Sequence, residues 1–413
     1  MSTPDVVIVG GGIVGAAAAT FLARGGARVK IYDRDGLASG ASGANSGVVQ
    51  YPIDPALVPL HLETVALYRE LSAADAGFRL PLEPAGLLFL SRQGDVVRRL
   101  AHELAVSDPV LRPEVLEGTS LLVLEPSLAP DLSACRVMTG YPVPPAASTY
   151  AYATLAERAG VTIRVGRAAT PEVVKGRCVG VRVHDQVVPA DAVLVAAGPW
   201  TSELIDPGAR WRPIKPVWGV VVETECTSAP RHVLEEAEIE ASIGAKAPPG
   251  ASSSPGASSS PGASSSDSDS PATAVDEPPG GQFSLVTAGG VSAVGSTFLE
   301  DEPDPASWLV PLLERASQFV PGLADAAIRG VRACARPMAE DRRPLIGAVP
   351  GAAGLYVCAG HGPWGISTGP ASARLVADLI LGRPVEVPSQ LDAARFGSPL
   401  NARARCEKPT RPA

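Results

Sequence analysis

The chain has 413 residues, 46% of them apolar, enough to build a large core. A formal charge of -8 argues against a nucleic-acid partner, and the one cationic cluster (Arg403, Arg405, Lys408, Arg411) stands in a tail, 396–413, expected to be flexible. Six cysteines, at 135, 178, 226, 334, 358 and 406, show no CxxC pair and no metal-ligand spacing, so free thiols, no metal and a cytoplasmic location are expected. The apolar run Val6 to Ala23 lacks a basic flank and is broken by four glycines; it reads as neither a signal peptide nor an integral membrane segment.

The N-terminus reads as strand "VVIVG", helix "IVGAAAATFLARGG" and strand "VKIYD", a βαβ unit. Gly10-x-Gly12-x-x-Gly15 lies at its first turn. Such glycines allow a tight turn and bring backbone close to a pyrophosphate at the helix N-terminus. Asp33 ends the second strand, where an acid can bond a ribose hydroxyl; the unit alone does not separate NAD from FAD. The next stretch, "GLASGASGANSGVV" (36–49), is dominated by glycine and serine, including Ser42, Ser46 and Gly47. It reads as a loop able to press N–H groups and hydroxyls against phosphate and ring edges.

A helix is predicted over Leu57–Leu71, turning residues 57, 60, 64, 67, 68 and 71 inward. A strand over 192–198 ends at Gly198 with Trp200 just beyond. The stretch Ala247 to Gly281 repeats ASSSPG and holds almost no core residue, so a disordered insert is expected over 245–281. The flanking strands "VWGVVVETE" and "FSLVTA" make it an elongated hairpin loop. Near the C-terminus, "VRACARPMAEDRRPLIG" holds Arg336, restricted by Pro337 to an extended backbone, with Cys334 two residues before it on the same strand face. "GLYVCAGHGPWGISTGP" then reads as a strand, a glycine-rich turn and a last helix from about Gly369 that buries Leu375, Val376, Leu379 and Ile380. Of the histidines, only His361 falls in a motif, where it reads as a brace of the turn; His61, His102, His184 and His232 show no partner pattern.

Taken together, "VVIVGGGIVG", "GASGANSG", "VLVAAGPW" and "RPMAEDRRPLIG…GLYVCAGHGPWGISTGP" resemble the D-amino-acid oxidase family of FAD enzymes, which includes glycine oxidase, sarcosine oxidase and D-amino-acid dehydrogenase. The resemblance implies an α/β fold of two domains, a Rossmann-like FAD-binding domain and a mostly antiparallel β-sheet substrate domain. The FAD domain is expected from 1–80, 146–210 and 331–395, and the substrate domain from 81–145 and 211–330. FAD contacts are implied at Ile13, Val14, Asp33, Arg34, Ala41, Ser42, Ser46, Gly47, Val48, Ala169 and, in the last turn, at His361, Gly362, Pro363, Trp364, Gly365, Ile366 and Ser367. Arg336 falls where glycine-oxidase-like members clamp the substrate carboxylate, a role suited to a planar guanidinium; the competing reading is a structural ion pair. Cys334 aligns with the cysteine that sarcosine oxidases bond to flavin, with a buried unbonded thiol the favoured reading. Two positions depart from the pattern. Pro363 replaces a second basic substrate contact of glycine oxidase, and Ala293 stands near a lysine that sarcosine oxidases associate with oxygen activation.

The resulting expectation is an enzyme that oxidises the C–N bond of an amino acid or N-alkyl amino acid by hydride transfer to flavin N5, giving an imine that hydrolyses, with oxygen or another electron acceptor. The alternatives are an FAD-dependent 2-hydroxy acid dehydrogenase and a non-catalytic flavin-binding interaction protein.

Overall fold

A computed structural model describes residues 3–74, 76–237 and 281–399. The chain begins with β1 (Asp5–Val9), α1 (Ile13–Arg24) and β2 (Arg28–Tyr32), followed by α2 (Val58–Ala73), β3 (Leu87–Ser91), β4 (Glu114–Glu117), β5 (Ser133–Val137) and α3 (Ala147–Arg158). Next come β6 (Thr162–Arg164), β7 (Ala192–Val195), β8 (Ile214–Glu225), β9 (Val233–Glu236), β10 (Gly281–Ala288) and β11 (Val291–Thr297). The chain closes with β12 (Ala327–Ala339), β13 (Leu345–Ala348), β14 (Leu355–Ala359) and α4 (Gly365–Ile380).

Two sheets carry the fold. The first has six strands in the order β13-β14-β7-β1-β2-β6, parallel except for β13. The predicted βαβ unit forms its centre: Val6, Val7 and Ile8 are buried on both faces, as an internal parallel strand requires. Helix α1 is rich in alanine, and Ala16 to Ala19 are fully buried, so α4 packs closely against it. The second sheet has eight strands in the order β12-β8-β11-β10-β9-β3-β5-β4, antiparallel except for the β9–β3 pair. Its core is a separate cluster around Leu88, Val222, Phe283 and Leu285. This is the expected Rossmann-like plus antiparallel architecture. Strand β12 runs in the second sheet across the boundary expected at 330.

Helix α2 buries each residue of the predicted face, Leu57, Leu60, Thr64, Leu67, Tyr68 and Leu71. The last helix departs from expectation. It begins at Gly365, not near Gly369, and carries Pro370 in its interior. Proline has no N–H for the Ile366 carbonyl, and the Tyr68 hydroxyl donates to that carbonyl at 2.8 Å instead. A buried phenol on α2 therefore supplies the bond that the proline removes. In α4, Val376 is buried as expected, whereas Leu375, Leu379 and Ile380 are half-buried.

The insert expected over 245–281 lies outside the described residues except for Gly281, which opens β10 and so belongs to the sheet. The flanks also differ from the reading. The strand before the insert is β9, which pairs antiparallel with β10 through Leu234 opposite Leu285 and Glu235 opposite Ser284. The predicted "VWGVVVETE" strand, β8, lies instead between β12 and β11. Of the tail, residues 396–399 are described. No helix among the described residues is long and apolar enough to cross a membrane.

Candidate active site

One cavity, of about 350 Å³, opens where the carboxyl ends of β1, β7 and β14 face the second sheet. Its size suits a small-molecule site, and the ends of parallel strands are where such folds bind ligands. On one side its lining comes from the turn after β1, the loop 39–50, the segment Ala196–Trp200 and the segment Cys358–Ser367. The other side is lined by Val221 of β8, Glu235 of β9, Ser284 of β10, Ser296 of β11 and Cys334 and Arg336 of β12.

The glycine turn is built by close approach. A Cβ on Gly10 would lie 2.3 Å from the Ala196 carbonyl oxygen, so only glycine lets β1 pass the end of β7, and its φ of +117° adds a second reason. A Cβ on Gly15 would lie 2.0 Å from the Gly10 oxygen, so Gly15 sets how near α1 comes to the turn. Asp33 organises the same region. Its Oδ2 accepts from Gly11 N at 2.7 Å, and its Oδ1 accepts from Gly36 N at 2.7 Å and Asp35 N at 2.9 Å. Ser42 accepts from Ile13 N at 3.0 Å, tying the serine-rich loop to the start of α1. Arg34 pairs with Asp35, and its guanidinium lies 5.0 Å over the Trp200 ring at the mouth.

All the residues expected from sequence to bind cofactor or substrate line this cavity except Gly15 and Gly47. Gly15 acts through its packing on Gly10. Gly47 holds φ +83°, and a Cβ there would lie 2.4 Å from the Val143 oxygen. Ala293 is buried on β11 opposite Val286 and is not among the lining residues. Sequence reasoning missed Gln50, Glu235, Ser284, Ser296 and Phe298, because strand pairing rather than any local motif brings them to the wall.

Arg336 reaches across the sheet. Its Nη1 donates to the Thr297 carbonyl at 2.8 Å and its Nη2 to Ser296 Oγ at 2.5 Å. The guanidinium lies 4.6 Å over the Phe298 ring, and a Cβ on Gly219 would come within 2.4 Å of it. It therefore sits in a slot made by a ring, two backbone strands and a missing side chain. Burial pulls its acidity toward that of a less basic group and Cys334 opposes the shift, but a guanidinium stays charged in proteins. No carboxylate among the described residues pairs with it, so the reading of a structural ion pair finds no partner there. Two of its five donors bond to described residues, and the side chain lines the cavity. Burial pushes the neighbouring Cys334 thiol up, with the Arg336 and Arg332 charges acting in the opposite direction.

His361 is buried at the turn before α4. Its backbone carbonyl accepts from Trp364 N at 3.0 Å, which braces the turn, and its Nε2 has no partner among the described residues. Burial pushes its pKa down to about 4, and does the same to His61 of α2, where a hydrogen bond with the Ser367 backbone works against the shift. Both imidazoles are therefore neutral at pH 7. Between about pH 6.5 and pH 4 the unfolded chain takes up protons at these sites and the native protein does not, so stability falls as the pH falls through that window. Each group contributes up to about 2 kcal/mol of loss by pH 5. His61→Leu should therefore flatten the decline of Tm between pH 7 and pH 5. A decline as steep as in the wild type would mean that His61 is not held neutral.

The cavity fits FAD on three observations. The glycine turn leaves backbone, not side chains, against the β1 end of the cavity. The N-termini of α1 and α4 both open onto it, a favourable setting for a pyrophosphate and for negative charge on a reduced ring. The Nε2 of His361 is a buried polar atom in its lining that lacks a partner among the described residues.

Comparison with known proteins agrees. The family model described as FAD dependent oxidoreductase matches residues 5–249 and 252–379. A glycine oxidase of Geobacillus kaustophilus (strain HTA426) is 28% identical over 394 residues, 91% of this chain and 92% of that protein. Among solved structures, glycine oxidase from Bacillus cereus ATCC 14579 superposes with a TM-score of 0.74 at 23% identity, covering 96% of this chain and 98% of that one. Iminodiacetate oxidase from Chelativorans sp. BNC1 gives 0.75 at 23% identity, covering 94% and 98%. With the family model matched from the first strand to the last helix, and with the glycine turn, Asp33 and both helix N-termini gathered at one cavity, the chain belongs to the family of FAD-dependent oxidoreductases.

Proposed function

We propose that the protein oxidises the C–N bond of an amino acid or N-alkyl amino acid whose carboxylate is held by Arg336. The observation that carries this reading is a guanidinium that lines the cavity, is fixed by Ser296 and Thr297, and has no carboxylate partner among the described residues. A planar fork of this kind fits a carboxylate with two parallel charge-assisted bonds. The names of the glycine oxidase and iminodiacetate oxidase relatives support the same reaction class.

Bound FAD would supply the two-electron acceptor for the substrate's α C–H bond. Gly10, Gly12, Asp33, Arg34 and Ser42 would hold its nucleotide end, and the turn from His361 to Ser367 its ring end. The chain's own part is to bind and orient. Ser296 and Thr297 fix the guanidinium, Phe298 covers one face, and a clamped carboxylate would hold in place the reacting carbon bonded to it. The resulting imine hydrolyses in water to an oxo acid and a free amine. His361 is neutral, so it adds no positive charge that would repel an amine substrate.

The test is an anaerobic screen of amino acids, N-alkyl amino acids and 2-hydroxy acids, following flavin absorbance. Bleaching by amines and not by hydroxy acids is expected; the reverse pattern would replace the reading with hydroxy-acid oxidation, and bleaching by neither would remove catalysis. Oxygen consumption set against dye reduction in the same assay identifies the acceptor.

The thiol of Cys334 is buried, with a raised pKa, and we expect it to stay unbonded to FAD. Acid precipitation should then give a yellow supernatant and a colourless pellet. A yellow pellet that turns colourless in Cys334→Ser would show a covalent link.

A further inference from the structure

The last helix reaches the cavity with a break in its bonding. Gly365, Ile366 and Ser367 of α4 line the cavity, and Pro370 stands one turn further on. A proline there has no N–H for the Ile366 carbonyl, and its ring crowds that oxygen. The carbonyl is buried, where an unpaired oxygen is costly. Without another partner, the first turn of α4 would have to shift to find one.

Three side chains of α2 take over backbone bonds around the proline. Tyr68 Oη donates to the Ile366 oxygen at 2.8 Å, Thr64 Oγ1 accepts from Ala371 N at 3.3 Å, and His61 bonds with the Ser367 backbone. Positions 61, 64 and 68 are spaced i, i+3 and i+7, so they form one stripe of α2, and all three are buried. Tyr68 and His61 act on residues that line the cavity, whereas Thr64 acts on Ala371, which does not. The Tyr68 ring is itself held, with its centroid 5.1 Å from that of Phe78 and 6.4 Å from that of Tyr152.

The Tyr68 bond reaches the cavity through one peptide group. The carbonyl of Ile366 and the N–H of Ser367 belong to the same planar unit and point in opposite directions. Fixing the carbonyl on α2 therefore fixes the direction of the Ser367 N–H, one of the first four of the helix, for which an α-helix has no partner of its own. Donation to the oxygen also polarises the unit and strengthens its N–H as a donor. Gln50 N donates to Ser367 Oγ at 2.9 Å, which ties the same residue to the loop 39–50.

We propose that Tyr68 is a positioning residue for the flavin ring. By taking the carbonyl that Pro370 leaves open, it holds the first turn of α4 where its N–H groups stabilise negative charge on the reduced ring. The inference rests on the placement of the ring end of FAD at the turn from His361 to Ser367, and not on the identity of the substrate.

The test uses the FAD-loaded protein without substrate. Bound FAD is reduced anaerobically with dithionite beside a reference dye, and the equilibrium constant between flavin and dye is read from absorbance. Tyr68→Phe keeps the ring and removes the donor, and should shift the constant about threefold or more toward oxidised flavin. Pro370→Ala gives the Ile366 carbonyl an N–H within the helix. In that background Tyr68→Phe should change the constant by less than about twofold. Thr64→Val is the control: it removes a buried bond between the same two helices away from the cavity, and should lower Tm while the constant stays within about twofold of the wild type. A wild-type constant in Tyr68→Phe, an equal shift in the Pro370→Ala background, or an equal shift in Thr64→Val overturns the proposal. Should Tyr68→Phe alone fail to hold FAD, the double variant decides. FAD binding with a constant close to that of Pro370→Ala sustains the role, and loss of FAD or a persisting shift overturns it. Bleaching of the wild-type flavin by amines beside an unchanged constant in Tyr68→Phe would leave C–N oxidation standing. A shifted constant without bleaching by any amine would leave Tyr68 its role and remove C–N oxidation.

Discussion

Arg336→Ala should lower kcat/KM for the best carboxylate substrate by roughly 30- to 1,000-fold, equivalent to about 2–4 kcal/mol of transition-state binding. The size follows from the site. The guanidinium is deep, already fixed by Ser296 and Thr297, and stacked on Phe298, so a bound carboxylate meets donors that need no reordering. The FAD content of the variant should remain near that of the wild type, because the nucleotide end of the cavity is built from β1, α1 and the loop 39–50. Arg336→Lys should recover only part of the loss, since an ammonium offers a point charge and not a planar fork. An Arg336→Ala protein with unchanged kcat/KM would remove the clamp and with it the substrate class.

The second large effect is on loading of the cofactor. Gly15→Val should leave the protein largely without FAD and lower its Tm. Even a single Cβ at Gly15 would stand 2.0 Å from the Gly10 oxygen, so the N-terminus of α1 would have to move off the turn. Overpacking of this kind costs about 1–3 kcal/mol, and here it also displaces the backbone groups nearest a pyrophosphate. Gly36→Ala is the matched control: it lies in the same region, a Cβ there meets nothing within 4 Å, and it keeps the N–H that Asp33 accepts. FAD should stay bound in that variant. Full FAD occupancy in Gly15→Val would show that α1 does not need its close seat on the turn.

What the sequence made legible was local. The βαβ unit declares itself because an internal parallel strand, an alanine-rich helix and a glycine turn each leave a short-range pattern, and α2 does so through the spacing of Leu57, Leu60, Thr64 and Leu71. Arg336 stood out because a cation was fixed among apolar neighbours. The start of α4 was misplaced because Gly369-Pro370 imitates a helix N-terminus. Only the distant Tyr68, by satisfying the Ile366 carbonyl, lets the helix run through the proline. Strand β9 was missed because "VLEE" runs into an acidic stretch, and it is defined by parallel pairing with β3, more than a hundred residues earlier. Glu235 and Ser284 became wall residues through that same pairing, which no local pattern announces.

Gly219 gives the clamp a history as well as a geometry. The guanidinium of Arg336 occupies the space in which any side chain at 219 would begin. While Arg336 keeps this seat, a side chain at position 219 would push its guanidinium out of it. Once Arg336 is lost, position 219 is free to accept alanine or larger residues, and each such change blocks the arginine from returning. The two positions thus form a ratchet in sequence space, in which descendants that abandon the carboxylate clamp lose the single-step route back. Lineages that keep the arginine should be found with glycine at the paired position, and lineages without it should show 219 drifting.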